Sequence, residues 1–173
     1  MIARGALALA AVAMALAGDA GHAAAAPASV CVEAEYRQLD FWLGDWDVYD
    51  VGAPQAVARA RISRILDGCV VHELYEQRDG VRGESFSIFD RTRGVWHQTW
   101  VTNHGRLLQI EGSLGGDRVV LSGRYKDDAG RTVMIRGTWW AAPEGVRELA
   151  ETSGDDGGSW KPAFDLLFRP HRG

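Results

Sequence analysis

The sequence predicts an all-β protein, an antiparallel up-and-down β-barrel of about ten strands entered through a short N-terminal helix. Three observations carry that expectation. Short runs rich in Val, Ile, Thr, Tyr and Trp recur along the chain, each of strand length. Glycine-bearing doublets separate them, the residues that tight hairpins need. Beyond Asp45 no helix-length periodic stretch interrupts the series, so successive runs pair antiparallel as a meander, and closure removes the exposed edges.

The chain begins with a segment of a different kind. Arg4 gives a short positive start, Gly5 to Ala17 is an apolar run, and Ala23-Ala24-Ala25-Ala26 supplies small residues. That order reads as a secretory signal peptide over residues 1–26, because the apolar run is too short to span a bilayer. Removal leaves roughly 147 of the 173 residues, enough for one sizeable core. The predicted localisation is periplasmic or secreted. Residues 27–40 then form a polar lead with room for a short helix from Glu33 to Leu43, and residues 41–173 form one barrel domain.

The pivot between lead and barrel is Asp40-Phe41-Trp42-Leu43-Gly44-Asp45-Trp46-Asp47-Val48, where a helix-like pattern gives way to alternation. Gly44 permits a sharp entry into the first strand, and Trp46 is expected to seal one end of the barrel. The predicted strands are Asp45–Val51, Val57–Leu66, Cys69–Gln77, Glu84–Asp90, Val95–Asn103, Arg106–Leu114, Arg118–Tyr125, Thr132–Ala141, Val146–Thr152 and Trp160–Arg169. Asp67-Gly68, Asp79-Gly80, Arg93-Gly94, His104-Gly105, Ala129-Gly130 and Glu144-Gly145 are among the turn doublets between them.

Cys31 and Cys69 both fall in the exported part, and an even pair in an oxidising compartment reads as a disulfide. Unlinked thiols and a lipid anchor at Cys31 are the alternatives, although Val30 is a poor residue before an anchored cysteine. Near the C-terminus Ser153-Gly154-Asp155-Asp156-Gly157-Gly158-Ser159-Trp160 fits the S-x-D-x-G-x-x-W form of an Asp-box. In that hairpin motif the Ser and Asp side chains tie the turn, while Gly157 and Trp160 complete it. Propellers carry several copies at regular spacing, and this chain has one, which speaks for a single hairpin.

From Phe41-Trp42-Leu43-Gly44-Asp45-Trp46 through Gly68-Cys69-Val70-Val71-His72-Glu73 and Trp96-His97-Gln98-Thr99-Trp100-Val101 to Glu151-Thr152-Ser153, the chain resembles DUF1579, a bacterial family of unknown function. More distantly, Leu43-Gly44-Asp45-Trp46 is similar to the Gly-x-Trp opening of the calycins, the lipocalin, fatty-acid-binding and nitrobindin barrels. The resemblance implies a calycin-like barrel and brings no settled activity with it.

Candidate functional residues follow from strand alternation, which places every second side chain on one face. Trp96, Gln98 and Trp100 share a face and are expected inside, either as a cavity wall with one orienting amide or as aromatics that fill the barrel. Glu73 shares a face with Val71 and Tyr75. If it points inward its charge needs a partner, and Arg136 in the apolar run Met134 to Trp140 is the expected one. That pair would be a structural bridge, or Arg136 would receive an acidic ligand head group while Glu73 sets its pose. Glu148 and Glu151 sit on opposite faces of the ninth strand, so at most one faces a cavity; Glu151 completes the candidate ligand-binding set.

Other chemistry is poorly represented. Beyond the leader the histidines are His72, His97, His104 and His171, without the close spacing of a zinc site. No metal or cofactor is expected. The calycin likeness raises haem through a single axial histidine, with His171 the positional candidate and His97 the fallback, yet neither has a matching aromatic surround. No phosphate loop and no G-x-S-x-G elbow is present, and no catalytic residue is assigned. The net charge is −4 and the arginines are spread rather than clustered, which argues against a nucleic-acid or anionic-membrane footprint. The sequence thus favours an exported barrel holding a small apolar or acidic ligand. A small barrel enzyme and a structural envelope protein with a filled core remain the alternatives.

Overall fold

A computed structural model describes residues 30–172. The expected signal peptide, residues 1–26, lies outside the described residues. The ten strands are β1 (Gly44–Asp50), β2 (Ala58–Ile65), β3 (Val70–Gln77), β4 (Arg82–Asp90), β5 (Val95–Thr102), β6 (Leu107–Gly115), β7 (Arg118–Lys126), β8 (Thr132–Ala142), β9 (Gly145–Ser153) and β10 (Lys161–Pro170). Each pairs antiparallel with its chain neighbour, and β1 pairs with β10 to close the barrel. The predicted fold class and the meander order are therefore observed, with strand ends shifted by a residue or two.

The short helix expected between Glu33 and Leu43 is instead two 3₁₀ turns, Ala34–Arg37 and Asp40–Trp42. The reason lies in the spacing of the side chains it buries. Tyr36, Leu39 and Trp42 are all buried, and they recur every third residue, which is the period of a 3₁₀ helix rather than an α-helix.

This segment plugs one end of the barrel. Trp42 packs against Trp139 and Phe168, at 6.0 and 5.9 Å between ring centroids. The Trp46 indole N–H donates to the Trp42 carbonyl at 2.9 Å. Gly44 has φ +151°, and a Cβ there would press on the Trp46 indole at 3.0 Å, so the entry turn and the floor are built together. Arg64 of β2 donates to the carbonyls of Tyr36 and Gly68 and to the Asp40 carboxylate. The Cys31–Cys69 disulfide ties the same segment to the β2–β3 corner. Closing a loop of 38 residues stabilises the fold by about 4 kcal/mol in the chain-entropy model.

The interior divides by depth. Toward the plug Trp96, Val48, Val71, Val119, Val146 and Phe168 are fully buried and fill the lumen. Toward the opposite end, where the β1–β2, β3–β4, β5–β6, β7–β8 and β9–β10 loops lie, the lumen is hollow. Among the described residues no helix is long and apolar enough to cross a membrane.

Candidate functional site

The hollow half of the barrel is a cavity of about 370 Å³. Its walls come mainly from alternate positions of six strands: Glu73, Tyr75 and Gln77 of β3, Gln98 and Trp100 of β5, Leu108 and Ile110 of β6, Ile135, Gly137 and Trp139 of β8, Glu148 and Ala150 of β9, and Phe164 and Leu166 of β10. Glycine makes room for its two large indoles. A Cβ on Gly137 would fall within 2.4 Å of the Trp139 ring, and one on Gly83 within 2.2 Å of the Trp100 ring.

A polar belt crosses the wall at mid-depth. Ser85 Oγ donates to Glu73 Oε2 at 2.9 Å, and Gln98 Nε2 donates to Ser87 Oγ at 3.0 Å. All four side chains are buried. Glu148 of β9, half-buried, lines the same lumen. Among the described residues no arginine, lysine or histidine lines this space. The electrostatic consequence is direct. Burial pushes Glu73 up to about 7, with the Ser85 hydrogen bond opposing. Burial also raises Glu148 well above the usual carboxylate range, and the Glu73 charge adds to the effect. Two neighbouring carboxyls drawn out of water resist ionising together. Tyr75 at the upper wall is pushed up to about 12 by burial and by the charges of Glu148, Glu73 and Asp50.

Trp139 adds a second unmet group. Its indole, 3 % exposed, is turned toward Glu148 closely enough to temper that carboxyl's shift, yet its N–H finds no acceptor in hydrogen-bonding geometry. The Trp42 N–H is also unpartnered, but Trp42 belongs to the plug.

The candidate residues read from sequence distribute as follows. Glu73, Gln98 and Trp100 line the cavity. Trp96 shares their face but lies deeper. It is fully buried, and its N–H donates to Gln38 Oε1 of the plug at 2.9 Å, so it anchors the closed end rather than the cavity.

Arg136 and Glu151 require correction. Ile135, Gly137 and Trp139 take the inner face of β8, which turns Arg136 outward. It donates to Glu151 Oε2 at 2.7 Å and stacks over the Trp160 ring at 4.2 Å. Arg136 is therefore not the partner of Glu73, and Glu151 is outside with it; both belong to the Asp-box hairpin. There Ser153 Oγ bonds Asp155 Oδ1 at 2.6 Å and accepts from Gly157 N at 2.9 Å, while Asp155 Oδ1 accepts from Ser159 N at 2.8 Å. The glutamate that does face the lumen from β9 is Glu148. The histidines raised for haem lie on the outer surface. His97 bonds Glu111 and Thr99, and His171 bonds Asp47.

No family model matches this chain, and no curated protein matches it.

Proposed function

We propose that this chain is an exported barrel of the calycin kind that holds a small, largely apolar ligand in the cavity above Glu73, Gln98 and Trp139. The single observation that carries the reading is the cavity itself. Its volume, about 370 Å³, falls in the range of small-molecule sites, and its walls are apolar and aromatic with a few convergent polar groups. A barrel serving only as an envelope scaffold has no need of a hollow half or of buried carboxyls without cations. The Cys31–Cys69 disulfide supports residence in an oxidising compartment. An acidic ligand loses its support with Arg136 on the outer face, since no arginine, lysine or histidine among the described residues lines the cavity to receive it.

The test is native mass spectrometry of protein purified from its own host, with Nile red titration of the emptied protein. The reading expects a copurifying small molecule or saturable dye binding, and loss of that binding when Ala150→Phe fills the cavity while the far-ultraviolet circular dichroism holds. A ligand-free mass together with no dye binding would overturn it.

One observation favours a second reading, a small barrel enzyme. Glu73 titrates near neutrality beside another carboxyl, the condition a general acid–base pair needs. The copurified molecule separates the two: a binder returns it unchanged on incubation, whereas an enzyme converts it and the Glu73→Gln variant does not.

A further inference from the structure

We infer that the ligand is an organic cation, a small amine with an apolar body whose ammonium group lodges between Glu73 and Glu148. This deepens the ligand-binding reading and rests on it.

The sign of the wall is the first argument. Asp50, Glu73 and Glu148 all line the cavity, with no basic residue among its described walls. A neutral ligand leaves the pair holding its protons, and an acidic one adds to the repulsion, so neither draws on the charge that the wall can develop. A cation pairs with both.

The second argument is the set of acceptors left over. Ser85 uses its hydroxyl on one oxygen of Glu73, and Ser87 receives the Gln98 amide N–H. Glu73, Gln98 and Glu148 all line the cavity, and the second Glu73 oxygen, the Gln98 carbonyl and the Glu148 carboxyl are left without a side-chain hydrogen bond among the described residues. An alkylammonium group carries three N–H donors, so it matches this set in number and in charge.

The buried Trp139 indole is an independent third observation. Trp139 is the cross-strand neighbour of Glu148, and its N–H stays without an acceptor in hydrogen-bonding geometry. A carboxylate charged by a bound cation is the acceptor that a small shift of Glu148 would bring to it. The walls complete the site. Tyr75, Trp100 and Trp139 line the lumen, and Tyr75 and Trp100 meet edge to face at 5.7 Å. Aromatic rings of this kind cover an apolar body and attract a desolvated cation that reaches a ring face.

Binding of this kind depends on pH. The groups that bear on the site are Glu73 of β3, Glu148 of β9, Tyr75 and, at the mouth, Asp50. Acidification protonates the carboxyls and removes the attraction, so amine affinity falls from pH 8 to pH 5.

Octylamine, octan-1-ol and octanoate share one flexible apolar body and differ in head group. They are titrated into the full exported chain at pH 8, read by calorimetry and by the fluorescence of Trp100 and Trp139. The expected order is octylamine tighter than octan-1-ol by at least about tenfold, the size of one charge-assisted hydrogen bond, with octanoate undetected. In the double variant Glu73→Gln, Glu148→Gln the amine advantage disappears and octan-1-ol still binds, which also shows that the variant folds. Octan-1-ol binding as tightly as octylamine, or an amine advantage unchanged in the variant, overturns the inference and leaves the ligand-binding reading standing. So does Nile red binding with none of the three bound. If neither the octyl compounds nor Nile red binds, both readings fall.

Discussion

The two ends of this barrel use the same kinds of residue to opposite effect. At the plugged end tryptophan is spent on packing: Trp42, Trp46 and Trp96 are buried, and two of their indole N–H groups reach the Trp42 carbonyl and Gln38. Toward the open end Trp100 stands beside empty space, while Trp139, packed on Trp42 below, forms the boundary between plug and cavity. Carboxylates divide in the same way between the outer wall and the lumen. Outside, Glu111 is gripped by Arg93 at 2.8 and 2.9 Å and by His97, and its carboxyl is held well below the usual range. Inside, Glu73 has only a serine hydroxyl, and burial drives it the other way. The plugged end supplies stability, whereas the open end gives some of it up to keep a polar, hollow site.

That contrast can be broken at either end. The largest effect is expected from Trp42→Ala in the plug, which removes a fully buried indole packed on Trp139 and Phe168. A loss of about 3–5 kcal/mol in urea unfolding is expected; a cost below about 1 kcal/mol would mean that the plug does not support the barrel.

The carboxyl pair should behave in the opposite sense. Glu73 ionises at about 7 in the folded chain against an ordinary 4.5, so the folded state holds its proton more tightly. The associated stability is fully present below pH 4.5 and is lost as pH rises through 7. The Glu73→Gln, Glu148→Gln variant should therefore be more stable than the parent at pH 8, by on the order of 3 kcal/mol, and nearly equal to it at pH 4. Thermal unfolding across that range checks the claim, and parallel curves for the two proteins would contradict it. The smallest effect belongs to the outer wall. Arg136→Ala should cost about 1 kcal/mol or less, since its ion pair and its stacking on Trp160 are both partly exposed. Titration of the octyl series should be unchanged, and a strengthened amine would place Arg136 back at the site, since a guanidinium there competes with the ammonium for the carboxyls.

Much of this contrast was legible in the chain. Turn doublets and short β-branched runs defined the meander, and Trp96-x-Gln98-x-Trp100 declared its inner face, whereas Val71-x-Glu73-x-Tyr75 shared a face whose direction alternation left open. Two things were not legible, each for a physical reason. Alternation gives a side chain's face but not its depth, so Trp96 could not be told from Trp100. In β8 both faces are apolar, because Trp140 lies outside beneath Arg118 at 4.4 Å and Met134 lies near the Asp-box turn. An outer tryptophan covered by an arginine looks like a core residue in sequence. Arg136 was assigned inward on that account, although it does the same service for Trp160. In β9 the faces Val146-x-Glu148-x-Ala150 and Arg147-x-Leu149-x-Glu151 each carry charge, and only the two small apolar neighbours of Glu148 hinted which one is inside.

The central claim is that an uncompensated carboxyl pair in the open end is the binding site, and carboxyl titration of ¹³C-labelled glutamates by nuclear magnetic resonance tests it most directly. The predicted result is a Glu73 midpoint near 7 in the free protein, which moves down when octylamine is added and stays put with octan-1-ol. A Glu73 midpoint in the ordinary carboxylate range, or one that octylamine leaves unmoved, would contradict it.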